Sequence, residues 1–175
     1  MFIFFKKPDF DMIHLAIKSR LNKEIKEFIK LNQATTDGDE SMKFHSKCDN
    51  IPNTLTIIKS AGNKRFGGFT TQTWDCSNKY KDDINAFLFF LDKQRIYPYK
   101  NKGNAIFWRK DGGPYFGYVQ DLYLGKNLTQ VKQLYTFESS TEWSYNYYGD
   151  KNALSKDGIG KDIIAVEYEV FQMIF

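Results

Sequence analysis

From Thr54 onward the apolar residues recur at every second position, and this period of two constrains the fold more than any other feature. Side chains alternate between the faces of a strand, so such a period builds half-buried sheets, whereas helices need apolar positions three and four apart. Residues 54–59 read as a strand, Ala61-Gly62-Asn63-Lys64 as a tight turn, and residues 65–74 as the hairpin partner. Residues 86–91 are apolar on both faces, which suits a central strand covered on both sides. Residues 105–109 and 115–118 flank the turn Asp111-Gly112-Gly113-Pro114, and residues 121–124 continue the pattern. Near the end, Ile164, Val166, Tyr168 and Val170 are expected on one face of a strand. Glu167 and Glu169 are then expected on the other, turned to solvent or to a partner.

The first part of the chain follows a different period. Asp11 is expected to cap a helix on which Ile13, Ile17, Leu21 and Ile25 recur, ending near Lys26. A first strand follows over residues 28–31. The turn at Thr35-Thr36-Asp37-Gly38-Asp39-Glu40-Ser41 opens a second short helix carrying Met42, Phe44, His45 and Cys48, which must end before Pro52. Aromatics supply 17% of the residues, a content that favours strands, and 42% apolar residues are enough for a core without staples. Residues 126–162 are polar and aromatic and read as a long loop with at most one more strand. The expectation is a mainly β (α+β) fold: an antiparallel two-layer β-sandwich with flanking helices. Residues 1–27 form an N-terminal helical leader and residues 28–175 the domain.

Charge and cysteine usage narrow the function classes. Lysine and arginine total 25 against 21 acidic residues, a net +4, and aspartates interleave the basic side chains. A dedicated nucleic-acid binder concentrates its positive charge, so nucleic acid is not the expected partner. The longest apolar runs, residues 1–5 and 86–91, fall far short of the roughly 20 residues of a spanning helix, so no membrane insertion is expected. Cys48 and Cys76 are read as reduced thiols of a cytoplasmic protein.

Individual residues suggest chemistry without completing a site. His45 and Cys48 stand three apart on the second helix, close enough for a thiolate–imidazolium pair, though no third orienting group is apparent. Packing of that helix face on the sheet is the simpler expectation. His14, His45, Cys48 and Cys76 lack the paired spacing of structural zinc sites, so neither a metal nor another cofactor is expected. Asp37, Asp39 and Glu40 could hold a cation, but capping of the second helix explains them more simply. Gly67 and Gly68 lie inside a strand pattern, where they permit a bulge or close backbone approach; a phosphate cradle would need a helix to follow.

The order of segments resembles the TLDc domain family. Asp37-Gly38-Asp39, residues 44–50, residues 54–59, Phe66-Gly67-Gly68-Phe69-Thr70, Trp74, Ala86-Phe87-Leu88-Phe89, Gly113-Pro114-Tyr115-Phe116-Gly117, Asp121-Leu122-Tyr123-Leu124 and Glu169-Val170-Phe171-Gln172 carry the resemblance over residues 28–175. It implies a β-sandwich and a role near that of the oxidation-resistance proteins, which protect against oxidative stress. Members of that group bind the vacuolar-type proton pump (V-ATPase) and regulate its assembly. The implied protein is a non-enzymatic interaction domain that binds cytosolic V-ATPase subunits. It would be cytoplasmic, and peripheral to endomembranes through that partner. Asp37, Gly38, His45, Cys48, Gly67, Gly68, Gly117, Asp121 and Glu169 match the family pattern, most of them as expected determinants of fold and surface shape. A thiol-dependent antioxidant enzyme using Cys48 with His45, or a weak nucleic-acid-binding module, are the alternatives.

Overall fold

Rings of phenylalanine, tyrosine and tryptophan fill the space between two antiparallel sheets. The computed structural model describes residues 5–118, 121–125, 130–131, 144–148 and 163–175. The expected loop over residues 126–162 lies outside them except for 130–131 and 144–148.

Along the chain, α1 (Lys7–Leu21) precedes β1 (Glu27–Gln33), α2 (Ala34–Asp37) and α3 (Ser41–Cys48). The hairpin of β2 (Thr54–Ser60) and β3 (Arg65–Thr70) follows, then β4 (Tyr80–Lys81), β5 (Phe87–Phe90) and β6 (Arg95–Pro98). The short strands β7 (Ile106–Phe107), β8 (Tyr115–Phe116), β9 (Leu122–Tyr123) and β10 (Gln130–Val131) lead to the long β11 (Ile163–Ile174). The larger sheet runs β1-β11-β2-β3-β5-β6, with β10 also paired to β11, and the smaller runs β4-β7-β8-β9. The expected antiparallel sandwich is therefore present, and β11 lies between β1 and β2, so strands from opposite ends of the sequence pair.

Alternation divides the larger sheet into two working faces. Ile58, Phe66, Leu88, Phe90, Tyr168 and Val170 point into the sandwich, where they meet Phe116, Leu122 and Tyr145. Leu55, Ile57, Phe69, Phe87, Phe89, Phe171 and Met173 point outward and are covered by Ile13, Ala16 and Ile17 of α1. The helix expected as a leader thus shares a core with the strands of residues 28–175. Asp9 ties it down further: its carboxylate accepts from Arg65 Nη1 at 2.5 Å and from Gln94 Nε2 at 3.0 Å, and Asp92 takes Arg65 Nη2 at 2.8 Å.

The ends of α1 differ from expectation. The helix starts at Lys7, where Pro8 suits the first turn and Asp9 accepts the Lys6 amide at 2.8 Å, so Asp11 is not its cap. It ends at Asn22, which takes the left-handed conformation at φ 53°, before Ile25 is reached. Aspartate capping of α3 is also corrected. Glu40 is its N-cap and makes no side-chain cap, while Asp37 accepts the Gln33 amide at 2.8 Å and pairs with Lys47 at 2.5 Å. Lys47 first, and then the Gln33 amide, hold the Asp37 carboxyl below its ordinary range.

The last strand carries the largest correction. Pairing shifts between Ala165 and Glu167, opposite Ser60 and Lys59, so Val166 is an extra residue in a bulge. One extra residue reverses the facing of everything before it. Ile164 and Val166 are exposed and Ala165 is buried, while Tyr168 and Val170 keep the inward face. Glu167 and Glu169, expected at the surface, are both buried. Glu167 accepts from the Thr35 amide at 3.1 Å, from the Thr35 hydroxyl and from Gln33 Nε2 at 3.1 Å; it therefore caps α2. Glu169 pairs with Lys30 Nζ at 2.5 Å.

Candidate functional site

The matched residues fall in several places. Gly67 and Gly68 lie in regular pairing with β2 and β5, with no bulge. Their role is close approach: a Cβ on Gly67 would sit 1.8 Å from the Thr56 carbonyl oxygen, and one on Gly68 would meet the Phe116 ring at 2.7 Å. Gly117 and Asp121 belong together. Gly117 takes φ +84°, and a Cβ there would lie 1.8 Å from Asp121 Oδ2. Asp121 accepts from Tyr147 Oη at 3.0 Å, the Ser144 amide at 3.3 Å and the Tyr145 amide at 3.4 Å, so it organises a turn rather than a surface. Gly38 ends α2 with φ +102° beside Asp37.

His45 and Cys48 are not brought together as a catalytic pair. Cys48 is fully buried among core residues that include Phe44 and Trp74, and burial pushes its thiol far up from the ordinary cysteine range. A thiol held neutral away from water is no nucleophile, which removes the expectation of Cys48 with His45 as its base. The reason is helical geometry: Phe44 and Cys48 stand four apart on the inward stripe of α3, and His45 is turned off it.

His45 instead meets Asp49 and Cys76 at a three-way junction. The end of α3 is joined to the loop after β3 by a bridge between Asp49 and Trp74, with the Asn50 amide donating to the Trp74 carbonyl at 2.9 Å. That loop is joined to the segment after β7, where the Trp108 amide donates to the Lys79 carbonyl at 3.0 Å. His45 Nδ1 lies 2.9 Å from Asp49 Oδ1, and Cys76 Sγ lies 3.8 Å from Nδ1 and 3.6 Å from Asp49 Oδ2. His45 Nε2 lies 2.9 Å from the Arg109 carbonyl oxygen. A carbonyl only accepts, so the geometry assigns a hydrogen to Nε2.

Burial, and then the Asp49 carboxylate, push the Cys76 thiol up, so by itself it is a weak nucleophile despite its exposure. The three side chains are nonetheless donors of the kinds that hold metal ions. Asp49 escaped the sequence reading although its spacing of four from His45 was visible; Cys76 is separated from His45 by a whole hairpin, and only the fold joins them.

The sequence matches the TLDc domain family over residues 3–174, nearly the entire chain and including α1. The chain belongs to the TLDc domain family. This TLDc domain is an oxidation-resistance-like domain with the β-sandwich described above. No curated protein sequence matches it. No helix among the described residues of the TLDc domain is long and apolar enough to cross a membrane.

Proposed function

We propose that this TLDc domain is a non-enzymatic protein-interaction module that binds cytosolic subunits of the V-ATPase and regulates its assembly, with a role in protection against oxidative stress. Membership of the family over residues 3–174 is the observation that carries the reading. Two features of the molecule agree with a docking role. The thiol named for catalysis is packed in the core, and the exposed thiol is weakened by partial burial and then by its carboxylate neighbour. The module would act in the cytoplasm, reaching endomembranes through the pump.

The test is an affinity pull-down from lysate with the full chain as bait, read by quantitative mass spectrometry. Enrichment of cytosolic pump subunits is the expected result. Recovery of none above a bead control would overturn the partner assignment.

A further inference from the structure

We infer that His45, Asp49 and Cys76 form a binding site for a divalent zinc ion, held by His45 Nδ1, an Asp49 oxygen and the Cys76 thiolate. The inference is independent of the docking function, because it rests on the geometry of three side chains alone.

The spacing of the donors comes first. In a tetrahedral zinc site with sulfur at about 2.3 Å and nitrogen or oxygen at about 2.0–2.2 Å, neighbouring ligand atoms stand about 3.4–3.6 Å apart. Here Nδ1 lies 2.9 Å from Asp49 Oδ1, Sγ lies 3.6 Å from the other Asp49 oxygen, Oδ2, and Sγ lies 3.8 Å from Nδ1, with one donor atom of each residue within 4.8 Å of the others. The two contacts to sulfur lie near that range, and opening the short Nδ1–Asp49 contact while the carboxylate turns one oxygen toward both neighbours would admit the ion. Orientation is the second argument. A ligating histidine commonly donates its other ring N–H to a carbonyl or carboxylate, which fixes the ring and directs the free nitrogen at the metal. The Arg109 carbonyl does this for Nε2, and Nδ1 is the atom aimed at Asp49 and Cys76.

The charge also matches. Neutral imidazole, carboxylate and thiolate sum to −2, which a divalent cation cancels; the Sγ proton, and any proton on Nδ1, leaves to solvent on binding. Lys110 is the nearby cation that opposes this and Asp75 the nearby carboxylate that favours it. Mixed nitrogen, oxygen and sulfur donors select zinc over magnesium and calcium, which take oxygen. Three protein ligands leave a fourth position beside the exposed Cys76 for water.

Calorimetric titration of the reduced, metal-free full chain with zinc tests the site. One zinc per chain is expected, with affinity lowered more than about a hundredfold in Cys76→Ser, since even outer-shell partners of a metal site cost about 10–100-fold. Cobalt(II) titrated in place of zinc should give a sulfur-to-cobalt charge-transfer band that Cys76→Ser removes, and zinc should protect Cys76 of the wild type from alkylation. Cys76 is exposed, so its substitution leaves the core untouched; His45→Gln should weaken binding similarly. Absence of stoichiometric zinc uptake by the wild type would overturn the inference. So would unchanged affinity in Cys76→Ser, or equal binding of magnesium or calcium.

Discussion

Asp121 shows how much one side chain can be asked to do. Its carboxylate gathers two backbone amides and a tyrosine hydroxyl in a site closed to water, and the absence of a Cβ on Gly117 makes room for it. Burial outweighs those donors and raises its pKa from 3.8 to about 7. Between those values the folded chain holds a proton that the unfolded chain has lost. The stabilisation is therefore full below about pH 4 and is lost as pH rises through 7. Asp121→Asn cannot ionise and removes this dependence, although its amide then faces a backbone donor. From pH 5 to 8, urea unfolding should show the wild type losing on the order of 2 kcal/mol relative to the variant. Parallel pH profiles for the two proteins would contradict the assignment.

Elements are fastened here by buried charge as well as by apolar contact. The Arg65 guanidinium on β3 joins Asp9 of α1 to Asp92 of the 3-10 turn at Leu91–Lys93. Removing one partner of such a group leaves an uncompensated buried charge, which costs more than the intact pair contributes. Arg65→Met should therefore destabilise by about 3–5 kcal/mol. Arg65→Met combined with Asp9→Leu should recover part of that loss. Urea midpoints of the three proteins check this; a loss below about 1 kcal/mol for Arg65→Met would mean that the buried ion pair adds little to the hold that Ile13, Ala16 and Ile17 give α1. The bulge at Val166 acts at the same scale, since it turns Ile164 outward without disturbing Tyr168 and Val170.

At the scale of the whole molecule, the two thiols report on different events. Cys76 lies at the surface junction of three segments, and Cys48 lies in the core between the sheets and α3. Reaching Cys48 requires the layers to part, so its modification follows global opening. Under native conditions, alkylation followed by mass spectrometry should label Cys76 alone, with Cys48 labelled only as denaturant unfolds the chain. Native labelling of Cys48 at a rate like that of Cys76 would show an opening that the closed sandwich does not have.

Much of this architecture was legible in the chain because strand alternation is local. Residues 54–59, 65–70 and 87–90 carry their faces in their own spacing, and the helix holding His45 and Cys48 follows from a few adjacent side chains. The order of segments likewise points to the TLDc family. Other features depend on pairings that no local pattern encodes. The place of β11 between β1 and β2, and the bulge that goes with it, arise from contacts across more than a hundred residues. The pairing with β1 brought Gln33, Thr35 and Lys30 to Glu167 and Glu169 and so buried both. The site was divided the same way: the sequence by itself determined that His45 and Cys48 lie on one short helix. Tertiary structure alone brought Cys76 to His45 and Asp49 and sent Cys48 into the core, because hydrophobic burial chose which side of α3 faces the sheets.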